Sequence, residues 1–162
     1  MSKIVYRAAT EEDVPQLVNL RVLMQCEVNG FDHSAVESEF SDEVEIYFAR
    51  SLRDKTYFSA VADLDGELVA TNGLVIYRKP PSLTGPSGIA GYVTNVYTKP
   101  GYRGQGIAGK LLDMLIEFAK NSNVAKLHLG ATKSGKKVYE KAGFKPVEFE
   151  ALELRMKTNS RK

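Results

Sequence analysis

A glycine-bearing segment near the middle of the chain combines residue types and a spacing that could bind an anion. A β-prone stretch ends at Pro100-Gly101, and Arg103-Gly104-Gln105-Gly106-Ile107-Ala108 then opens an amphipathic helical pattern. The first N–H groups of a helix have no partner within it, and glycines let the backbone approach a ligand or adopt positive φ. Such a loop is suited to a pyrophosphate, whose negative charge the helix dipole also favours.

Two nucleotide-binding motifs offer alternative interpretations of the glycines. Gly104-x-Gly106-x-x-Gly109 fits the dinucleotide fingerprint, but a hairpin precedes it and no acidic residue follows the next predicted strand. The segment Gly130 to Lys137 is one residue short of a P-loop, and Lys137 replaces the Ser or Thr that would hold Mg²⁺. A dinucleotide-binding oxidoreductase therefore stays an alternative function, although the sequence around the motif does not favour it.

The elements that must position this loop follow from changes in the hydrophobic period along the chain. Helical spacing predicts helices at 10–29, 35–52, 106–120 and 134–142. Alternating or β-prone runs predict strands at 4–9, 56–64, 67–78, 89–98, 124–129, 145–149 and 151–156. Asp65-Gly66 is a strong hairpin signal between two of these strands. The order β-α-α-β-β-β-α-β-α-β-β predicts an α+β fold, a single domain with a mixed, mostly antiparallel sheet flanked by helices.

Size, charge and composition exclude several classes of protein. A chain of 162 residues suits one domain, and its formal charge of +2 argues against a nucleic-acid binder. The single cysteine, Cys26, cannot form a disulfide within the chain, and two histidines offer no metal-ligand cluster, so no metal is expected. No apolar run approaches the ~18 residues of a membrane span, and the start lacks a signal-peptide hydrophobic region. We therefore expect a cytoplasmic protein with no membrane partner.

The loop and two further segments resemble the GNAT superfamily of N-acetyltransferases. The acetyl-CoA loop of that family is Arg or Gln-x-x-Gly-x-Gly or Ala, and the residues from Arg103 to Ala108 fit every position. Arg7 to Asp13 resembles the family's first strand and helix start, and Val138 to Phe144 resembles its closing motif. The resemblance implies a GNAT domain over 1–157, and the last residues, 158–162, are expected to form a flexible tail because chain ends commonly fray. It also implies transfer of acetyl from acetyl-CoA to a primary amine.

By the same resemblance, individual residues receive roles in binding the cofactor. The loop amides up to Ile107 would hold the pyrophosphate, and Arg103 would contribute loop geometry and charge. The preceding strand would pair with the pantetheine arm through its backbone. Thr132 stands where the family often has an Asn that hydrogen-bonds the pantetheine. The cofactor-binding residues implied are Asn95, Val96, Tyr97, Thr98, Arg103, Gly104, Gln105, Gly106, Ile107, Ala108 and Thr132.

The resemblance also implies a direct attack of the amine on the thioester, with no acyl-enzyme. The backbone amide of Val96 would polarise the thioester carbonyl in an oxyanion role. Tyr139 would protonate the departing thiolate as general acid. The general base has no diagnostic spacing, and the candidates on the expected acceptor side are Glu27, Asp32, His33, Glu43 and Glu45.

The acceptor itself stays open between a small-molecule and a peptide amine. The proline-rich loop Lys79 to Gly88, together with the connection near Phe31 to His33, is expected to frame the amine site. A homodimer is compatible with the sequence. An acyl-CoA-binding or sensing module that has lost catalysis is the main alternative to an enzyme.

Overall fold

In the computed structural model, which describes residues 2–159, five strands and four α-helices make up most of the regular structure. The strands are β1 (Val5–Ala8), β2 (Tyr57–Leu64), β3 (Glu67–Arg78), β4 (Ile89–Thr98) and β5 (Lys126–His128). The helices are α1 (Val14–Asn29), α2 (Ser38–Arg53), α3 (Ile107–Asn121) and α4 (Lys136–Lys141). Short 3-10 turns precede α1, α2 and α3. The predicted order of elements is correct as far as α4.

The five strands form one sheet in the order β1-β2-β3-β4-β5. The first four pair antiparallel, and β5 pairs parallel to β4 after the α3 crossover. The β2–β3 hairpin turns at Asp65 and Gly66, whose φ angles of 52° and 88° suit a tight hairpin turn. The α+β fold with a mixed, mostly antiparallel sheet is therefore confirmed.

Helices cover both faces of the sheet because their apolar residues recur at helical spacing. On one face, α1 and α2 bury Val14, Leu17, Leu20 and Phe48 against the sheet. On the other face, α3 presents a stripe whose members are four residues apart, namely Ile107, Leu111, Leu115 and Ala119. Two separate cores result, and the sheet between them fixes where β4 meets the glycine loop.

A partly buried ion pair ties β1 to the start of α1. The Arg7 guanidinium donates to both carboxylate oxygens of Asp13, at 2.7 and 2.8 Å, and it also bonds Asp63 on β2. The Thr10 backbone N–H donates to the same Asp13 carboxylate at 2.8 Å, as the predicted helix start requires. These bonds hold the Asp13 pKa below its ordinary value, the Arg7 hydrogen bond being the main cause.

The prediction of two final strands, at 145–149 and 151–156, is wrong. Neither segment forms a strand, and the side chains from 145 to 159 are exposed. Leu152, Leu154 and Met156 alternate as strand residues would, yet they are 89%, 83% and 74% exposed. Alternation gives a segment a strand-like pattern, but a strand exists only when a neighbouring edge completes its hydrogen bonds. Part of the tail predicted at 158–162 lies outside the described residues.

Among residues 2–159, no helix combines the length and the apolar character that a membrane crossing needs.

Candidate active site

The glycine loop ends at the N-terminus of α3, and its backbone conformation requires glycine at two positions. Gly104 and Gly106 have φ angles of 74° and 76°, in the left-handed region. Gly106 is the residue immediately before α3, and no side chain caps the first turn of the helix. A Cβ atom at either glycine would meet nothing within 4 Å, so the space in front of the loop is open. Ile107 is 2% exposed and anchors the helix start in the core.

Arg103 holds this loop in place through its side chain. Its Nε donates to the Thr98 carbonyl at 2.8 Å, and its Nη2 donates to the Glu27 carboxylate of α1 at 2.8 Å. The guanidinium also lies 5.5 Å from the centre of the Tyr97 ring. The hydrogen bond from Arg103 lowers the Glu27 pKa. The guanidinium therefore joins the loop to the end of β4 and to α1, as expected for a residue that sets loop geometry.

Next to the loop, β4 diverges from β5. The two strands pair only from Ala90 to Tyr92, so in the described part of the chain no strand covers the same edge of β4 over residues 93–98. On its other side, β4 carries a bulge where its register with β3 shifts. Asn95 sits in this bulge with a φ of 53°. An uncovered strand edge has free N–H and C=O groups that an extended ligand could bind.

The side chains of this part of β4 point in different directions. Asn95 is 3% exposed, and its amide faces the α1–α2 side of the sheet. Val96 packs towards the core formed with α3, whereas the Tyr97 ring belongs to the core on the α1–α2 face. Only the backbone of these residues is therefore available along the open edge. The expected cofactor residues of β4 can act through N–H and C=O groups.

Tyr139 lies on α4, half-buried, with its ring edge-to-face against Phe144 at a centroid distance of 5.8 Å. Burial raises the Tyr139 pKa above its ordinary value, and the Tyr92 hydroxyl adds to the effect. The Tyr139 hydroxyl is therefore protonated at neutral pH and can serve as a proton donor. Tyr92, which contributes to this shift, is the last residue of β4 that pairs with β5.

Thr132 serves the turn that leads into α4. Its hydroxyl accepts a hydrogen bond from the Gly135 N–H at 3.2 Å and lies 3.2 Å from the Ser134 hydroxyl. A Cβ atom at Gly135 would come within 3.2 Å of the Thr132 hydroxyl and 3.4 Å of the Tyr139 ring. The absence of a side chain at 135 therefore leaves room for both of these residues.

A cavity of about 330 Å³ opens between α1, α2 and the sheet. Its walls are largely aromatic. Arg21 of α1 and Glu43 of α2 supply charge, and Thr94 and Asn95 of β4 form polar lining. Because Thr94 and Asn95 line the cavity and belong to the part of β4 that has no partner strand on the β5 side, the cavity adjoins the open edge of β4. The aromatic residues that line it are Phe40, Tyr47, Phe48, Tyr57 and Tyr92.

Of the five candidate bases, Glu43 lines this cavity and the other four do not. Glu27 is bonded to Arg103, and the Asp32 carboxylate accepts from the Ser34 N–H at 2.8 Å. The expectation that Lys79 to Gly88 and Phe31 to His33 frame the amine site is not met at this cavity, since neither segment lines it. The proline-rich loop is instead closed on itself by the Lys79 N–H to Gly88 carbonyl bond.

Three cavity residues, Tyr57, Val75 and Tyr92, and the neighbouring His128 were not singled out from the sequence. Tyr57, Val75, Tyr92 and His128 are register partners in a row across β2, β3, β4 and β5. His128 lies 2.6 Å from the Tyr77 hydroxyl through Nε2, and its ring is 5.0 Å from that of Tyr92. Burial lowers the His128 pKa, with nearby Lys side chains contributing. Only the strand register brings these residues together, and the sequence does not give that register.

In the described part of the chain, no group of three or more His, Cys, Asp or Glu side chains is arranged to hold a metal ion.

Residues 22–144 match the model of the acetyltransferase (GNAT) family, which is more than half of the chain. The chain belongs to the GNAT family. No curated protein is significantly similar to it in sequence. Family membership favours acetyl transfer over the dinucleotide interpretation of the same glycines.

Solved GNAT-like structures share its fold. A predicted acetyltransferase from Clostridium acetobutylicum, determined with acetyl-CoA, is 34% identical, with a TM-score of 0.83 over 94% of this chain and 96% of that one. A GCN5-related N-acetyltransferase from Ralstonia eutropha is 24% identical, with a TM-score of 0.79 over 94% and 99%. Glucosamine-6-phosphate N-acetyltransferase from Arabidopsis thaliana is 19% identical, with a TM-score of 0.69 over 94% and 98%. The last two similarities bear on the fold alone.

Proposed function

We propose that this GNAT protein transfers acetyl from acetyl-CoA to a primary amine by direct attack, with acetyl-CoA as co-substrate and no metal. One observation carries the proposal: the uncapped N-terminus of α3 and the open edge of β4 adjoin, and that edge reaches the cavity at Asn95. A helix N-terminus suited to an anion, an extended strand edge and a partly open pocket thus follow one another. That is the order of pyrophosphate, pantetheine and acyl acceptor in such a reaction.

The cofactor would bind through backbone groups. A Cβ atom at Gly104 or Gly106 would meet nothing within 4 Å, and the amides from these glycines to Ile107 lie at the positive end of the α3 dipole, which suits a pyrophosphate. The edge from Asn95 to Thr98 would pair with the pantetheine arm. Gln105, Ala108 and Thr132 complete the proposed site, and Arg103 would hold the loop rather than the phosphate, because its guanidinium is bonded to Thr98 and Glu27.

In the reaction, the amine nitrogen would attack the thioester carbonyl carbon, and the carbon–sulfur bond would break. The Val96 amide, at the bulge in β4, would stabilise the negative charge on the carbonyl oxygen. Tyr139 would protonate the thiolate that leaves, so that CoA departs as a thiol. Its raised pKa supports this role, because a proton donor must carry its proton at the working pH.

The amine must lose a proton to become a neutral nucleophile or to complete the amide. Glu43 would accept that proton, since it is the candidate that lines the cavity. A carboxylate there would also attract the cationic form of the amine before it is deprotonated.

Release of CoA thiol from acetyl-CoA, measured with a panel of amines, tests the proposal. We expect release that depends on the amine, together with a mass increase of one acetyl group on the amine. If CoA binds but no amine is acetylated, the chain is a binding or sensing module. Binding of a nicotinamide dinucleotide in place of CoA would support the oxidoreductase alternative.

A further inference from the structure

Two polar side chains in the cavity are buried and have no hydrogen-bond partner. The Tyr57 hydroxyl and both polar atoms of the Asn95 amide are in this state among the described residues, and each residue is 3% exposed. Burial raises the Tyr57 pKa and the Asn95 amide close to its hydroxyl lowers it, but the two side chains do not reach the distance and angle of a formed hydrogen bond. Because buried polar groups are nearly always bonded in folded proteins, these two point to a ligand.

The position of the Tyr57 hydroxyl is fixed from three sides. The ring contacts Tyr47 and Phe48, with centroid distances of 5.8 and 5.3 Å. The hydroxyl end of the ring lies over Gly73 of the neighbouring strand β3, where a Cβ atom would overlap the hydroxyl. The ring therefore cannot turn aside, and Gly73 leaves the space that its hydroxyl occupies. Such packing holds the Tyr57 hydroxyl at a defined place in the cavity.

The walls and the size of the cavity restrict the body of the ligand. Its lining is dominated by aromatic rings together with Val44 and Val75, and its volume of about 330 Å³ is at the low end for small-molecule sites. Its charged lining residues are Arg21 and Glu43, of opposite sign. A polyamine would need several carboxylates, and a sugar would need many hydrogen-bonding partners. A compact aromatic or branched apolar body fits the walls.

We propose that the acceptor is a primary amine on a single aromatic ring or similarly compact apolar body, held at its nitrogen end by Tyr57 and Asn95. This inference rests on the proposed function and names its substrate class. The Asn95 side-chain oxygen Oδ1 and the Tyr57 hydroxyl oxygen would each accept a hydrogen bond from an amine N–H, so that the nitrogen lone pair stays free to attack the thioester. The aromatic walls would hold the ring, so that the nitrogen lies beside the β4 bulge.

The first test compares kcat/KM for 2-phenylethylamine, spermidine, glucosamine 6-phosphate and a short peptide that begins with alanine. We expect 2-phenylethylamine to be preferred by about tenfold or more, the scale on which apolar pockets discriminate. A preference for spermidine, the sugar phosphate or the peptide would overturn the assignment of substrate class.

The second test uses Tyr57→Phe, which keeps the ring and removes the hydroxyl. We expect kcat/KM for 2-phenylethylamine to fall about tenfold, as for one lost substrate hydrogen bond, with an unchanged KM for acetyl-CoA. The melting temperature should not fall, because the variant removes a buried group that has no partner. Gly73→Ala, which displaces the ring, should lower the same kcat/KM.

Tyr77→Phe is the matched control, since its hydroxyl lies beside His128 and it does not line the cavity. Equal effects of the Tyr57 and Tyr77 variants on the amine would overturn the inference. If no amine is acetylated, the proposed function fails, and calorimetry of 2-phenylethylamine with CoA present still tests the pocket. Binding by the wild type that Tyr57→Phe weakens would support the inference, and no binding would refute it.

Discussion

At the scale of single residues, the glycine loop shows how backbone conformation and ligand space coincide. Gly104 and Gly106 both adopt positive φ, and both face open space on the side where a cofactor phosphate would lie. Any side chain there would add backbone strain and occupy the proposed binding space. The two effects can be separated, because one concerns stability and the other concerns cofactor affinity.

Gly106→Val should weaken CoA binding by about tenfold or more, equivalent to about 1.4 kcal/mol. The branched side chain would obstruct the approach of a pyrophosphate to the first amides of α3. Isothermal titration calorimetry measures the affinity. Gly30→Val is the matched control, because Gly30 also has positive φ and open surroundings but ends α1. It should lose stability and keep its CoA affinity, and equal affinity in both variants would refute the loop assignment.

Tyr139→Phe tests the proposed proton donor while retaining the packing against Phe144. General acid catalysis typically contributes ~10²–10⁴-fold, so kcat should fall by that order while CoA affinity changes little. In the wild type, Tyr139 must be protonated to act, and its pKa is raised. Deprotonation of Tyr139 should therefore lower the rate only on the alkaline side, above the ordinary pKa of tyrosine. Steady-state kinetics across pH measures both effects. An unchanged kcat, with chemistry shown to be rate-limiting, would make Tyr139 structural.

Glu43→Gln tests the proposed proton acceptor. At neutral pH, kcat/KM for the amine should fall by about 10²-fold. The loss should shrink as pH rises towards the pKa of the amine, because the free amine then no longer needs a base. Glu45→Gln, on the same helix but outside the cavity, should behave as the wild type. A loss that is independent of pH would indicate that Glu43 contributes to binding alone.

At the scale of elements, the ion pair between β1 and the start of α1 helps to position α1, which forms one wall of the cavity. The bidentate bond between Arg7 and Asp13 places the first turn of α1 against β1, and Asp63 extends the link to β2. Since α1 carries Arg21 into the cavity, the link also helps to position a cavity wall. Asp13 is 6% exposed, so water could only poorly replace Arg7 as the hydrogen-bond partner of its carboxylate.

Asp13→Asn should lower the free energy of unfolding by about 1–3 kcal/mol, because the Arg7 guanidinium loses a charged partner. The pKa of Asp13 is lower in the folded state, so its contribution is complete above the unfolded-state pKa. That contribution disappears as pH falls through the folded-state pKa. Urea denaturation at a series of pH values should therefore show the difference between the variant and the wild type at pH 7, and a difference that shrinks as pH falls below the unfolded-state pKa of Asp13. Glu12→Gln, exposed on the same turn, is the control and should change little.

At the scale of the whole molecule, the sheet divides two tasks between its faces and one of its edges. The α1–α2 face has the cavity that would take the acceptor, and the other face packs against α3, whose N-terminus would take the phosphates. The bulge in β4 joins the two tasks because Asn95 lies in the cavity while the backbone beside it lies on the open edge. A reaction between two substrates can therefore occur where the two sites meet.

Local chemistry was predictable because it depends on neighbours in sequence. The spacing of Ile107, Leu111 and Leu115 gives the α3 stripe, Asp65-Gly66 gives the hairpin, and two glycines before a helix give the loop. Each of these features acts within a few residues, so its physical cause is present in the sequence itself. The order of the elements therefore predicted the fold class, and the resemblance of the loop to the GNAT motif indicated the family and its cofactor.

Tertiary structure alone decided the acceptor pocket and the end of the chain. Tyr57 and Tyr92 stand 35 residues apart in sequence, and they meet only because the pairings of β2 with β3 and of β3 with β4 set the register. Leu152 and Leu154 alternate as in a strand, but no ladder forms there because alternation supplies no partner. Hydrogen bonding between strands and burial between layers depend on residues distant in sequence. Local pattern therefore predicted the elements, whereas their pairing determined the site.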